Sequence, residues 1–210
     1  MLIFHSGLTT DDLSTDGFEN NIANQYVLEE VGLCPVPVIH DINTNHEADY
    51  YVTNNYPMVA IGSANLAKIN FADLLDYIKV FHENRIKVHL LGNVSYENLA
   101  FTPTYSCDSS AWSRHGQNNT VLFWNPGKKA VNKTDLIDFK TGSFNRIFYY
   151  NYRELHLLED YLYNELNFKL EDVMGPENRI NRLVANVHHF ALIEEKVKEH
   201  HAKLKYGFAD

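Results

Sequence analysis

Three short apolar runs, each ending in small or polar residues, constrain the fold of this chain most strongly. They cover residues 57–64, 87–93 and 105–112, and a helix-like segment lies between the first and the second. Strands of a parallel sheet are buried on both faces, so their sequences are continuous hydrophobic runs and do not alternate. The pattern therefore predicts consecutive βα units of a parallel sheet.

Chemistry in parallel α/β folds is concentrated at the carboxyl ends of the strands. The three runs end at Gly62 and Ser63, at Gly92 and Asn93, and at Asp108. Because the carboxyl ends of parallel strands meet at one edge of the sheet, we expect these residues to lie near one another.

Other segments extend the α/β pattern. Two further strands are predicted at residues 2–5 and 36–40, which gives about five βα units. Apolar residues at helical spacing predict helices at residues 16–31, 71–83, 95–99, 152–166 and 179–205. Asn70 is the predicted cap of the second of these helices. We expect a βα domain over residues 1–125, followed over residues 126–210 by a loop and a C-terminal helical extension that packs on it.

Composition limits the class of protein. A chain of 210 residues with 45% hydrophobic content can bury the core of one domain with an appendage. No apolar run is long enough to span a bilayer, and the first residues lack the features of a signal peptide, so we expect a cytoplasmic protein without membrane contact. The two cysteines, Cys34 and Cys107, form neither a disulfide framework nor a zinc cluster. We predict no metal and no cofactor.

The formal net charge of −9 disfavours binding of nucleic acid over the whole surface. A local basic groove and a solvated loop are both compatible with a group of cations after the core: Lys128, Lys129, Lys133, Lys140 and Arg146. Histidine pairs at residues 188–189 and 200–201 lie in charged helical sequence. We expect these histidines at the surface.

Five strands cannot close a (β/α)8 barrel, which usually needs about 250 residues. An open parallel sheet has two edge strands, and proteins protect such edges from unwanted pairing. We expect the edges to be covered by the C-terminal helices, by a second copy of the chain, or by another protein.

Four segments in order, residues 35–40, 59–63, 88–92 and 105–112, resemble the second half of the barrel in the tRNA-guanine transglycosylase superfamily. The similarity is greatest to phage and bacterial paralogues associated with 7-deazaguanine modification of DNA. It covers roughly residues 18–124 and implies a partial (β/α)8, TIM-barrel-like sheet.

The resemblance also implies an activity. The family exchanges a purine for a 7-deazapurine base at a glycosidic bond in DNA or tRNA, using a strand-end aspartate as nucleophile. Asp108 is the matching catalytic residue, and His89 is expected to be structural. The residues that match the base-binding positions are His40, Gly62, Ser63, Leu91 and Gly92. In that match Leu91 stacks on the base, His40 bonds its edge, and backbone near Gly62 faces it.

The sequence departs from the family pattern in three respects. The transglycosylases proper carry a second aspartate, and Ala111 occupies its place, whereas the DNA-associated paralogues share the Asp-Ser-x-x-Trp pattern that begins at Asp108. The three-cysteine and histidine zinc site of the family does not occur in this sequence. Neither does the early segment that supplies the other acidic group.

Two functions therefore remain open. One is a transglycosylase-like glycosyltransferase acting on DNA or tRNA, with a partner chain completing the barrel. The other is a non-catalytic, truncated paralogue that serves as a scaffold or assembly module. An unrelated nucleotide-binding domain ranks last because residues 6–10 do not form a glycine-rich phosphate loop.

Overall fold

A computed structural model describes residues 15–62, 69–92, 95–139 and 147–208. The chain divides into two compact units. The first comprises Met1–Ser109 together with His200–Asp210, and the second comprises Ser110–Glu199. The sequence analysis placed the division after residue 125.

The first unit contains a four-stranded parallel sheet in the order β1-β2-β3-β4. Its strands are β1 (Val38–Ile39), β2 (Met58–Ile61), β3 (Lys87–Leu90) and β4 (Ser106–Cys107). Its helices are α1 (Thr15–Glu30), α2 (His46–Thr53), α3 (Phe71–Glu83) and α4 (Tyr96–Phe101). The predicted α/β class and the parallel direction of these strands are confirmed. The predicted strand at residues 2–5 lies outside the described residues.

Helix α3 shows how local sequence builds this unit. The Asn70 side chain accepts a hydrogen bond from the backbone N–H of Asp73 at 3.0 Å, which confirms the predicted cap. Leu74, Ile78 and Phe81 recur at helical spacing and are almost fully buried. Burying each of these side chains contributes roughly 1.5–3 kcal/mol to stability.

The second unit contains a mixed sheet in the order β5-β6-β7, antiparallel between the first two strands and parallel between the last two. Its strands are β5 (Thr120–Trp124), β6 (Thr134–Asp138) and β7 (Ile147–Phe148). Its α-helices are α5 (Ala111–Gln117), α6 (Leu155–Leu166) and most of α7 (Arg179–Leu204). Short 3₁₀ helices cover Tyr149–Asn151 and Leu170–Val173.

The expectation of a loop and helices alone over residues 126–210 is therefore wrong. The strand β6 escaped detection because two aspartates interrupt its apolar pattern, and both are buried: Asp135 is 8% exposed and Asp138 is fully buried. Lys128 compensates Asp135 through an ion pair of 2.8 Å. A buried charge that is paired in this way can occupy an inward-facing strand position. Such a position is not recognised by a search for apolar residues.

Buried polar side chains attach α7 to its surroundings within the second unit. The Asn186 side-chain oxygen accepts from the N–H of Leu122 at 2.8 Å, and its amide donates to the carbonyl of Thr120 at 3.1 Å. The Arg182 guanidinium, 1% exposed, donates to the carbonyls of Gly116 and Val173. Such fully bonded polar groups fix the position of the helix more specifically than apolar contacts do.

The expectation that the histidine pairs lie at the surface is wrong for one member of each pair. His189 is 2% exposed and His201 is 8% exposed, and the Nε2 atom of His201 bonds the Leu99 carbonyl at 2.7 Å. Adjacent helical residues point about 100° apart, so one histidine of a pair can face inward. Among the described residues, no helix is both long and apolar enough to cross a membrane.

Burial lowers the pKa of His189 from its ordinary value of 6.5 to about 4, with His115 and His188 adding to the effect. Between these two values the unfolded chain binds the proton and the folded chain does not. We therefore expect the free energy of unfolding to fall as the pH is lowered from 6.5 to 4, by roughly 3 kcal/mol from this group. Urea unfolding of His189→Phe should show a correspondingly weaker loss over this range. Replacement of the exposed His156 by Gln is the matched control, and an unchanged acid dependence in His189→Phe would contradict the assignment.

Candidate functional site

The carboxyl edge of the parallel sheet brings together most of the residues predicted for the site. His40, Gly62, Leu91 and Asp108 are each the first residue beyond β1, β2, β3 and β4, respectively. Neighbouring strands lie about 4.8 Å apart, so Gly62, Leu91 and Asp108 occupy adjacent positions. His40 is three strand spacings from Asp108, or roughly 14 Å along the sheet. Ser63 lies outside the described residues.

Asp108 presents an accessible carboxylate at this edge. Its side chain is 60% exposed, and its Oδ1 atom accepts a hydrogen bond of 2.7 Å from the backbone N–H of Gly92. Gly92 has a φ of 69°, in the left-handed region that favours glycine. The turn after β3 therefore aims one backbone N–H at the carboxylate, while more than half of the Asp108 side chain remains exposed.

His89 lies beneath that carboxylate. It is 4% exposed, its Nδ1 atom is 2.9 Å from Ser106 Oγ, and its Nε2 atom is 3.9 Å from Asp108 Oδ2. The Nε2 atom is buried without a hydrogen-bond partner among the described residues. Burial lowers the pKa of His89, and Asp108 opposes this in part. We conclude that a neutral imidazole faces the carboxylate at neutral pH.

Gly62 and Leu91 give the edge its shape. A Cβ atom added to Gly62 would have no heavy atom within 4 Å among the described residues outside its two chain neighbours. Leu91 is half-buried and packs against an apolar cluster formed by Val36, Val38 and Ala60. The edge next to Asp108 thus combines a glycine beyond β2, uncrowded by the described residues, with an apolar side chain beyond β3.

The end of β1 is organised by a residue that the sequence analysis missed. Glu47 is 4% exposed, and its two carboxylate oxygens accept from the backbone N–H groups of His40 at 3.0 Å and Asp41 at 2.9 Å. The Asn21 amide is 2.9 Å from the Nδ1 atom of His40. Glu47 therefore holds the backbone on which His40 is carried. It stands in the first turn of a short helix in polar sequence, where no local pattern marks it as buried.

Burial dominates the electrostatics of Glu47. It raises the pKa of this carboxyl from 4.5 to about 7, although both backbone hydrogen bonds act in the opposite direction. The buried hydroxyls of Tyr51 and Tyr77 lie in the field of Glu47, and burial together with this charge raises the pKa of both. A carboxyl that gains and loses its proton near neutral pH therefore lies behind the end of β1.

The basic residues predicted as a possible groove are partly used in the second unit. Lys128 Nζ bonds Asp135 and the Thr134 carbonyl, at 2.8 and 2.9 Å. Lys140 and Arg146 lie outside the described residues. Lys128 thus has a structural role in compensating a buried carboxylate. In the part of the chain that is described, no group of three or more His, Cys, Asp or Glu residues is placed to hold a metal ion.

Replacing Glu47 by Gln should destabilise the protein by about 1–3 kcal/mol at pH 5, because one backbone N–H loses its acceptor. The pKa of Glu47 is raised in the folded state, so its contribution is complete below pH 4.5 and is lost as the pH rises through 7. The difference in unfolding free energy between the two proteins should therefore be larger at pH 5 than at pH 8. Chemical unfolding at both values measures it, with the exposed Glu83→Gln as control. An equal difference at both pH values would contradict the raised pKa.

Comparison of the chain with models of protein families, with curated proteins and with solved structures finds no match.

Proposed function

We propose that this chain is a transglycosylase-like enzyme that exchanges guanine and a 7-deazaguanine base in DNA or tRNA, with Asp108 as nucleophile. The observation that carries the proposal is the exposed Asp108 carboxylate at the carboxyl edge of a parallel sheet, one strand away from Leu91 and two from Gly62. The four ordered segments that resemble the transglycosylase superfamily supply the reaction class.

The proposed reaction has two balanced steps. In the first, an Asp108 oxygen forms a bond to C1′ of the sugar, and the C–N glycosidic bond breaks. Its electron pair goes to the departing guanine, which takes up a proton. In the second, the ring nitrogen of the incoming base bonds C1′, the ester to Asp108 breaks, and this nitrogen loses its proton. An ionised carboxylate suits both steps because it stabilises an oxocarbenium-like centre and is also an adequate leaving group.

The surroundings of Asp108 support binding of a flat base. Leu91 offers an apolar contact for one ring face, and no described residue other than its chain neighbours would lie within 4 Å of a Cβ atom at Gly62. Gly92 donates its N–H to Oδ1 of the carboxylate and so fixes its orientation at the strand end. His40 is roughly 14 Å from Asp108 along the sheet, so its contact with the base requires the sheet to curve, as a barrel does.

The sheet of the described residues has four strands, half the number in a (β/α)8 barrel, and this is the basis for including a partner in the proposal. Among the described residues, β1 and β4 are the edge strands of the sheet. A second protein chain, or a second copy of this one, would pair with these edges and add the acidic group that this sequence lacks. The nucleic acid and the purine base would then bind at the completed carboxyl edge.

One observation favours the alternative of a non-catalytic scaffold. The bond from Gly92 N–H to Asp108 also joins the turn after β3 to the end of β4. An aspartate can serve this purpose without any chemistry, as strand-end aspartates often do. The two functions therefore differ in what they predict for replacement of the carboxylate.

Asp108→Asn should reduce base exchange by about 1,000-fold or more, because the amide is a poor nucleophile. The assay measures incorporation of radiolabelled guanine and 7-deazaguanine into tRNA and duplex DNA, using chain isolated from its natural host with any bound partner retained. The control is Asp76→Asn, which replaces an exposed aspartate of α3 that pairs with Lys79. Incorporation by Asp108→Asn at the level of the control would overturn the proposal. A native chain that incorporates neither base into tRNA or DNA would also overturn it. If calorimetry then shows that the chain binds neither base, the scaffold function is favoured.

A further inference from the structure

We infer that Ser106 and His89 form a relay that orients Asp108, in which Ser106 Oγ–H donates to His89 Nδ1 and His89 Nε2–H is directed at Asp108 Oδ2. The arrangement of the three side chains comes from the fold itself. The catalytic consequence rests on the proposed function of Asp108, whereas the direction of the hydrogen bonds does not.

The register of the sheet places these three residues on one face. His89 of β3 pairs directly with Ser106 of β4. Side chains alternate between the faces of a strand, so Asp108, two residues after Ser106, continues on the same side. The measured separations agree: 2.9 Å from His89 Nδ1 to Ser106 Oγ, and 3.9 Å from His89 Nε2 to Asp108 Oδ2.

Electrostatics selects one tautomer of His89. If Nδ1 carried the hydrogen, it would donate to Ser106, and the lone pair of Nε2 would face a carboxylate oxygen, which is repulsive. If Nε2 carries the hydrogen, its positive end faces the carboxylate, and Nδ1 accepts from the Ser106 hydroxyl. The second arrangement removes the repulsion and still gives Nδ1 a donor, since a serine hydroxyl rotates to donate or to accept.

Burial gives this geometry its significance. His89 is 4% exposed, and its Nε2 atom has no hydrogen-bond partner among the described residues. A polar atom enclosed in this way and aimed at an exposed carboxylate is unusual, because buried polar atoms are normally satisfied. The separation of 3.9 Å is longer than a hydrogen bond, and catalytic hydrogen bonds commonly shorten when the substrate binds.

The relay would make His89 a positioning residue. Asp108 is approached by two N–H donors, from Gly92 on Oδ1 and from His89 on the side of Oδ2. These donors limit rotation of the carboxylate, and they stabilise the negative charge that returns to it when the ester to the sugar breaks. Ser106 acts one step further away, because its hydroxyl donates to His89 Nδ1 and so holds the orientation of the imidazole ring.

The first test is independent of activity. Nitrogen-15 NMR of labelled histidine distinguishes the two tautomers by their ring-nitrogen shifts, and the His89→Gln spectrum identifies the His89 signals among the eleven histidines. We expect Nε2–H in the native chain at pH 7.5, the same tautomer with a shifted Nδ1 resonance in Ser106→Ala, and a mixture of tautomers in Asp108→Ala, which lacks the carboxylate that faces Nε2. A native chain with the hydrogen on Nδ1, or a Ser106→Ala spectrum identical to the native one, would overturn the relay whether or not base exchange occurs.

The second test concerns catalysis. His89→Phe removes the N–H and should lower kcat for base exchange about 100-fold with KM unchanged, a loss typical of one oriented donor. His89→Gln can place an amide N–H near the position of Nε2 and should restore about tenfold of that loss. Equal kcat values for the native chain and His89→Phe would overturn the positioning role. If His89→Phe fails to fold, two results together would overturn the positioning role. These are a kcat for His89→Gln equal to the native value and an Nδ1–H tautomer of His89 in the native chain. Base exchange retained by Asp108→Asn would contradict the proposed function of Asp108. It would not affect the result on the tautomer of His89.

Discussion

The backbone ladder of the four parallel strands is the constraint on which the rest of the site depends. It extends beyond the strands themselves, through hydrogen bonds from Leu91 N–H to the Ile61 carbonyl at 2.9 Å and from Asp108 N–H to the Leu90 carbonyl at 3.2 Å. These bonds decide which residue stands first beyond each strand. A slip of β4 by one residue would send Ser106 and Asp108 to the face opposite His89, and so separate the imidazole from both.

Two buried ionisable groups make the stability of the protein depend on pH. Glu47 behind β1 is favoured in its protonated form, whereas His189 in the second unit is favoured in its deprotonated form. Lowering the pH therefore increases the contribution of Glu47 to the free energy of unfolding and decreases that of His189, and the two pH ranges overlap. A core of apolar residues would carry neither dependence. Glu47 accepts hydrogen bonds from the backbone of His40 and Asp41. The loss of stability when Glu47 ionises therefore arises at the same place that fixes the end of β1.

Local sequence predicted those parts of the structure that depend on local interactions. The strand β2 and the helix α3 with its Asn70 cap agree with prediction because apolar runs, helical spacing and capping act within a few residues. Since the ends of β2 and β4 were predicted, the positions of Gly62 and Asp108 beyond them followed, whereas β3 ends one residue before the predicted end at Leu91. The contacts that give the site its chemistry join residues far apart in sequence, such as His89 with Ser106, and no periodicity encodes them. Buried polar residues were missed for the same reason: Asp135 and Glu47 are compensated by partners that only the fold brings near.

The net charge of −9 places a requirement on the proposed function. Binding of a polynucleotide rests on lysine and arginine contacts to phosphates, and each such contact adds to the affinity. Among the described residues of the first unit, Asp41 and Asp108 place carboxylates at the carboxyl edge of the sheet. Phosphates near Asp108 would be repelled unless cations from elsewhere lie between them. Under the proposed function, a partner chain that pairs with the sheet would be expected to carry basic surface, so that the same partner extends the sheet and binds the phosphates.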